Sequence, residues 1–130
     1  MPAENEQGAG MTAGHPQDAP LTVQVRRTEA RAAVCRVAGD LDIETLGPAE
    51  ESLSALVGQG PPVLVVDLHG VGFCDSSGLN LLLKTRAAAL AAGVEFRLAA
   101  VAPTVMRVLE LTGAQAVFSI HESVDAALAA

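Results

Sequence analysis

The sequence has no tryptophan, no tyrosine and only three phenylalanines, Phe73, Phe96 and Phe118. Single-stranded nucleic acids are held largely by stacking bases on aromatic rings, and this chain has few to offer. Lysine is nearly absent too: Lys84 is the only one, and eight Lys+Arg stand against 15 Asp+Glu for a net charge of −7. Without a cationic cluster to neutralise phosphates, no nucleic-acid partner is expected. Anionic membrane surfaces repel such a chain, whereas a partner with basic patches is steered toward it. Two cysteines, Cys35 and Cys74, are too few for a disulfide framework and too widely spaced for a metal knuckle. No charged-then-apolar stretch opens the chain as a secretion signal does. No apolar run approaches the roughly 20 residues of a membrane span. These absences together point to a cytoplasmic protein with reduced thiols and no metal or other cofactor.

What is present is aliphatic. Half of the 130 residues are apolar, mostly Ala, Val and Leu, enough for one domain with its own core. Residues 1–20, rich in Gly, Ala, Pro, Glu and Gln and without apolar periodicity, read as a disordered tail. The domain then occupies 21–130.

Leu21, Val23 and Val25 alternate with polar residues as in a half-exposed strand, and a second apolar run, Ala32–Ala38, suggests its hairpin partner, ending at Gly39. Leu46, Ala49, Leu53 and Leu56 have helical spacing, with Pro48 in the first turn and glycines at the end. Val63–Leu68 is a near-continuous apolar run of the kind buried on both faces of a sheet. A helix is expected from Asp75 or Ser76, with Leu79, Leu82, Leu83, Arg86 and Leu90 on its inner face and Gly93 as its stop. Val94–Ala100 alternates as a strand, and Pro103 opens a helix with Val105, Val108, Leu109 and Thr112 on one side, closed by Gly113. Ala116–Ile120 reads as a short edge strand and Glu122–Ala129 as a last helix. Strands alternating with helices predict an α/β layer structure, and the leading hairpin makes its sheet mixed.

Phe73–Cys74–Asp75–Ser76–Ser77–Gly78–Leu79 falls between a buried strand and a helix start, where backbone amides favour negative charge. Taken alone, Asp75 and Ser76 are ordinary capping residues. A hydrolase reading fails because a nucleophile elbow is Gly-x-Ser-x-Gly, and nothing orders an acid behind His69 or His121. No enzyme activity is expected. Asp40, Asp42 and Glu44 are too few oxygen ligands for a calcium loop and read as a surface acid patch.

Three separated motifs resemble the anti-sigma factor antagonists, the STAS-domain family. They are Gly39–Asp40–Leu41–Asp42, then Val65–Val66–Asp67–Leu68 with the Phe73–Leu79 stretch, then Pro103–Thr104–Val105–Met106–Arg107–Val108–Leu109 up to Gly113. The resemblance implies a STAS-type fold, a mixed sheet of about five strands with helices packed against it. It implies that Ser76, the first serine of Asp-Ser-Ser-Gly, is the phosphoacceptor. Asp40, Asp42, Asp75, Ser77, Gly78, Leu79 and Pro103 would form the surface that meets an anti-sigma factor, itself a serine kinase. Asp42, a solvated acid with no evident structural task, is expected to face a cation of that partner. A serine phosphatase would reset phosphorylated Ser76. The alternative within the family is a STAS scaffold that never cycles phosphate, or an accessory subunit of a lipid transporter.

Overall fold

The computed structural model describes residues 20–130, so the tail read over 1–20 lies, apart from Pro20, outside the described residues. Five strands, β1 (Thr22–Arg27), β2 (Ala33–Leu41), β3 (Val63–Cys74), β4 (Glu95–Ala99) and β5 (Ser119–His121), lie side by side in chain order. The helices between them are α1 (Gly47–Gly58), α2 (Ser76–Ala91), α3 (Pro103–Thr112) and the terminal α4 (Val124–Ala129). β1 and β2 form the antiparallel hairpin, and β2 to β5 are parallel. Each parallel step needs a crossover, which α1, α2 and α3 supply.

Alternation along the strands divides the core. Ala33, Cys35 and Val37 of β2, Leu64, Val66 and Leu68 of β3 and Leu98 of β4 meet α1, α2 and α3 on one face. Val34, Val65 and Ala99 point the other way, onto Ala127 of the short helix α4. The central strand β3 is therefore covered on both sides, which explains its near-continuous apolar run. Phe96 and Phe118, with ring centroids 6.3 Å apart, close the core beside β5.

Several expected boundaries move. Gly39 does not end the second strand. β2 continues to Leu41 and β3 to Cys74, paired Asp40 with Phe73 and Leu41 with Cys74, after register shifts between Arg36 and Ala38 and between Gly39 and Asp40. Gly39 makes this possible: its φ of +105° suits glycine, and the Pro20 carbonyl lies where a Cβ would be. His69, expected on a loop, sits on this extended β3. Leu90, assigned to the inner face of α2, is 72% exposed. The buried stripe instead runs through Gly78, Leu82, Thr85 and Ala89, a phase that hydropathy hides because it contains a polar and two small residues. The Thr85 hydroxyl is satisfied by donating to the Leu81 carbonyl at 2.8 Å. Residues 114–117 form a 3-10 turn after Gly113 rather than the start of a strand, so β5 is shorter than expected.

The start of α2 is seated directly on the end of β2. A Cβ at Gly78 would stand 2.5 Å from the Leu41 carbonyl oxygen and 2.9 Å from Cys74 Sγ. Gly78→Ala should therefore lift the helix and cost about 1–3 kcal/mol, as overpacking does, read as a lowered urea midpoint.

Both thiols are buried, and burial pushes Cys35 and Cys74 up to about 11, with the charge of Asp75 adding to the effect on Cys74. Below the ordinary value of 9.0 both folded and unfolded chains keep these protons. Above it the unfolded chain loses them first, so stability should fall as pH rises from 9.0 toward about 11. Urea unfolding across that range should show the decline. Replacing both cysteines by alanine should remove it.

Candidate functional site

The extended ends of β2 and β3 carry two loops to the same place. One runs from Asp40 to Thr45. The other is the junction Cys74–Asp75–Ser76 into α2. The Asp75 amide donates to the Leu41 carbonyl at 3.3 Å, tying the loops together through the backbone.

Asp75 is the N-cap of α2. Its backbone is extended, and its Oδ1 accepts from the Ser77 amide at 2.8 Å and the Gly78 amide at 3.1 Å. Ser76 is the first helical residue. Its side chain is exposed, and no partner binds its hydroxyl among the described residues. Ser77 is half-buried, while Gly78 and Leu79 are buried. Ser76 Oγ is thus the accessible hydroxyl of the motif. Gly78 and Leu79 act from beneath, Gly78 by allowing close approach and Leu79 by anchoring the helix in the core. They correct the expectation of a surface role for both.

Two acids of the first loop also depart from expectation. Asp40 is 5% exposed, so it belongs to the interior and not to a surface patch. Its carbonyl accepts from the Thr45 hydroxyl. Asp42 has a structural task after all. Its Oδ1 accepts from the Glu44 amide at 3.0 Å and the Thr45 amide at 3.2 Å, and its own amide donates to Thr45 Oγ1 at 3.2 Å. This reciprocal pattern shapes the turn before α1, with the carboxylate half-buried and its second oxygen free of those bonds. Pro103 is exposed at the start of α3, after β4, the strand on the opposite side of β3 from β2. β4 has its last pair with β3 at Asp67, seven residues before Cys74, so Pro103 follows a strand that stops short of the Ser76 junction.

The reading from sequence missed two side chains. Ile43, on the Asp40–Thr45 loop, is 71% exposed, and Phe73, near the end of β3 and three residues before Ser76, is 50% exposed. Phe73 carried a signal: Cys74 beside it must face the core, so alternation turns Phe73 outward. Asn80, one turn beyond Ser76 on α2, is exposed as well.

The chemistry available is that of a recognition surface. Among the described residues no group of three or more His, Cys, Asp or Glu side chains could hold a metal ion. Nor is any described helix long and apolar enough to cross a membrane. An exposed hydroxyl, a carboxylate bound to the helix amides and two exposed apolar side chains can dock, and can be modified.

Comparison with known proteins agrees with this architecture. The model of the STAS domain matches residues 22–127. The anti-sigma-F factor antagonist RsfB of Mycobacterium tuberculosis is 30% identical over 96 residues, covering 74% of this chain and 78% of RsfB. The crystal structure of an anti-sigma factor antagonist from Mycobacterium paratuberculosis superposes with a TM-score of 0.76 at 32% identity, over 86% of this chain and 96% of that one. SpoIIAA of Bacillus, solved in its phosphorylated form, shares the fold at 21% identity, with a TM-score of 0.65 over 82% of this chain and 96% of its own. With the motifs, the sheet order and these relatives in agreement, the chain belongs to the STAS-domain family of anti-sigma factor antagonists.

Proposed function

We propose that the unphosphorylated chain binds an anti-sigma factor that is also a serine kinase, and so releases a sigma factor. Phosphorylation of Ser76 by that kinase ends the binding, and a serine phosphatase restores it. The cycle would run in the cytoplasm. The observation that carries this reading is the state of the α2 N-terminus: Ser76 Oγ is open to solvent while the Ser77 and Gly78 amides are already taken by Asp75. A phosphoryl group on Ser76 would find that part of the anion-binding helix end occupied by a carboxylate. Its added charge of about −1.5 to −2 would then be carried outward, onto the docking face. Like charge brought across an interface costs several kcal/mol. The relatives named as anti-sigma factor antagonists support the role. The existence of SpoIIAA in a phosphorylated form supports the modification.

The surface suits such a partner. Ile43 on the Asp42 turn and Phe73 at the end of β3 offer exposed apolar contact, and the acidic balance of the chain favours a basic counterpart.

The test is a titration of wild type, Ser76→Ala and Ser76→Asp against candidate serine-kinase anti-sigma factors, with ATP labelling followed by mass spectrometry. Wild type and Ser76→Ala should bind, Ser76→Asp should bind at least about tenfold more weakly, and phosphate should appear on Ser76 and not on Ser77. Because Asp75 already caps the helix, Ser76→Asp should leave stability within about 0.5 kcal/mol of wild type. Equal binding by the Ala and Asp variants would refute the switch.

Asp42 separates shape from charge. Asp42→Ala removes the acceptor that holds the turn and should cost about 1 kcal/mol of stability, the usual loss for such a cap. Asp42→Asn keeps an acceptor oxygen and discards the charge. It should preserve stability while weakening partner binding and flattening its salt dependence. A binding curve for Asp42→Asn that overlays wild type at low salt would show that Asp42 serves the turn alone.

A further inference from the structure

At the other end of the sheet from Ser76, the β1–β2 hairpin gathers Arg26, Arg27, Arg31 and Arg36, half of the eight Lys+Arg in the chain. The expectation that the chain has no cationic cluster is corrected here: the balance is acidic overall, but its cations are not spread evenly. All four side chains are exposed, and none is in an ion pair among the described residues. Elsewhere the cations are mostly engaged. Lys84 pairs with Glu50, Arg86 donates to the Val117 carbonyl, and Arg97 donates to the Ala127 carbonyl and lies near Glu95. The acids facing the hairpin are Glu29, exposed near its turn, and Asp67, beside Arg36 in register but accepting from the His69 amide.

The sheet is uncovered at this place. Helix α4 packs over β3, β4 and β5 and reaches Val34 of β2, leaving Gln24, Arg26 and Arg36 on the same face of β1 and β2 exposed. A groove of about 480 Å³ remains there between Gln24, Arg26, Val34, Arg36, Asp67 and Val124. Among the described residues β1 is also an edge strand, hydrogen-bonded to β2 alone. Exposed edges are templates for a further strand, and charges on them normally prevent pairing with a second copy. Arg26 and Arg27 would repel another β1, yet the same charges complement a strand that carries carboxylates.

We propose that the β1 edge and the adjoining arginine groove form a second docking surface, which takes an extended acidic segment of a protein partner as an added strand. Backbone hydrogen bonds to β1 would supply affinity, and Arg26, Arg27 and Arg36 the selection for acidic side chains. A nucleic acid fits less well, since the hairpin has no aromatic residue to stack on and the chain carries −7 overall. From Arg36, the selecting cation nearest the Ser76 end, to Leu41 the strand spans about 17 Å, roughly two Debye lengths at physiological salt. The hairpin and the Ser76 end can therefore be occupied together, and charge at one should not be felt at the other.

A fluorescein-labelled Val-Glu repeat peptide of roughly ten residues tests this at about 50 mM salt, where screening is weak. The full chain should bind it, slow amide exchange in β1, and discriminate against a Gly-Glu peptide of equal charge. Arg26→Gln combined with Arg36→Gln should weaken binding at least about tenfold with circular dichroism unchanged, and Ser76→Asp should bind as wild type does. No binding by wild type, no loss in the double variant, or loss in Ser76→Asp would overturn the proposal. Equal affinity for the Gly-Glu peptide would overturn strand addition, and equal affinity for an oligothymidine of the same length would overturn a protein partner.

Discussion

Everything at the candidate site depends on how closely α2 approaches the end of β2. The Leu41 carbonyl sits where a side chain at Gly78 would have to go, and the same carbonyl receives the Asp75 amide. That contact joins the Asp42 turn to the start of α2 and fixes Ser76 as the residue left outside. The underlying reason is the overrun of β2 and β3 past the last pair with β4, at Asp67 and Ala99. The site is thus carried on paired strand ends. Most functional groups ride on loops; these are held by the sheet itself.

Charge is arranged around the same junction. A helix N-terminus attracts anions, and here Asp75 already satisfies the amides nearest Ser76. The carboxylate thereby leaves the serine hydroxyl without a local role and leaves a further negative group at Ser76 little to gain from the helix end. The acidic side chains of the neighbouring turn do not all contribute to the surface. Asp40 is interior, so the outward face carries fewer acids than the sequence suggests.

The order and type of the elements, the mixed sheet and the position of Ser76 at a helix start could be read directly. Strand alternation and glycine stops are local signals. What escaped reading was set by tertiary contact. Nothing near Gly39 announces that β2 continues, because the continuation is a bulge closely approached by the Pro20 backbone from across the hairpin. The inner face of α2 was misplaced because Thr85 and Ala89 are buried while Leu90 is not, an inversion of hydropathy that only packing against the sheet decides. Asp42 looked solvated because its partners are backbone amides, invisible in a side-chain pattern. The hairpin arginines stood in plain view but were averaged away in a net charge of −7.

The contact between the Pro20 carbonyl and Gly39 bears on handling the protein. Gly39 directly precedes Asp40, Leu41 and Asp42, so whatever is attached ahead of Pro20 sets out from beside the docking turn. A tag or fluorescent fusion joined directly to Pro20, in a shortened chain that starts there, would begin its path next to the proposed docking face. One placed after Ala130 begins beyond α4, on the opposite side of the sheet from α1 and α2. Reporter geometry is therefore not symmetric between the two ends of the described domain: one borders the Asp42 turn, and the other borders the α4 face, where Val124 lines the arginine groove.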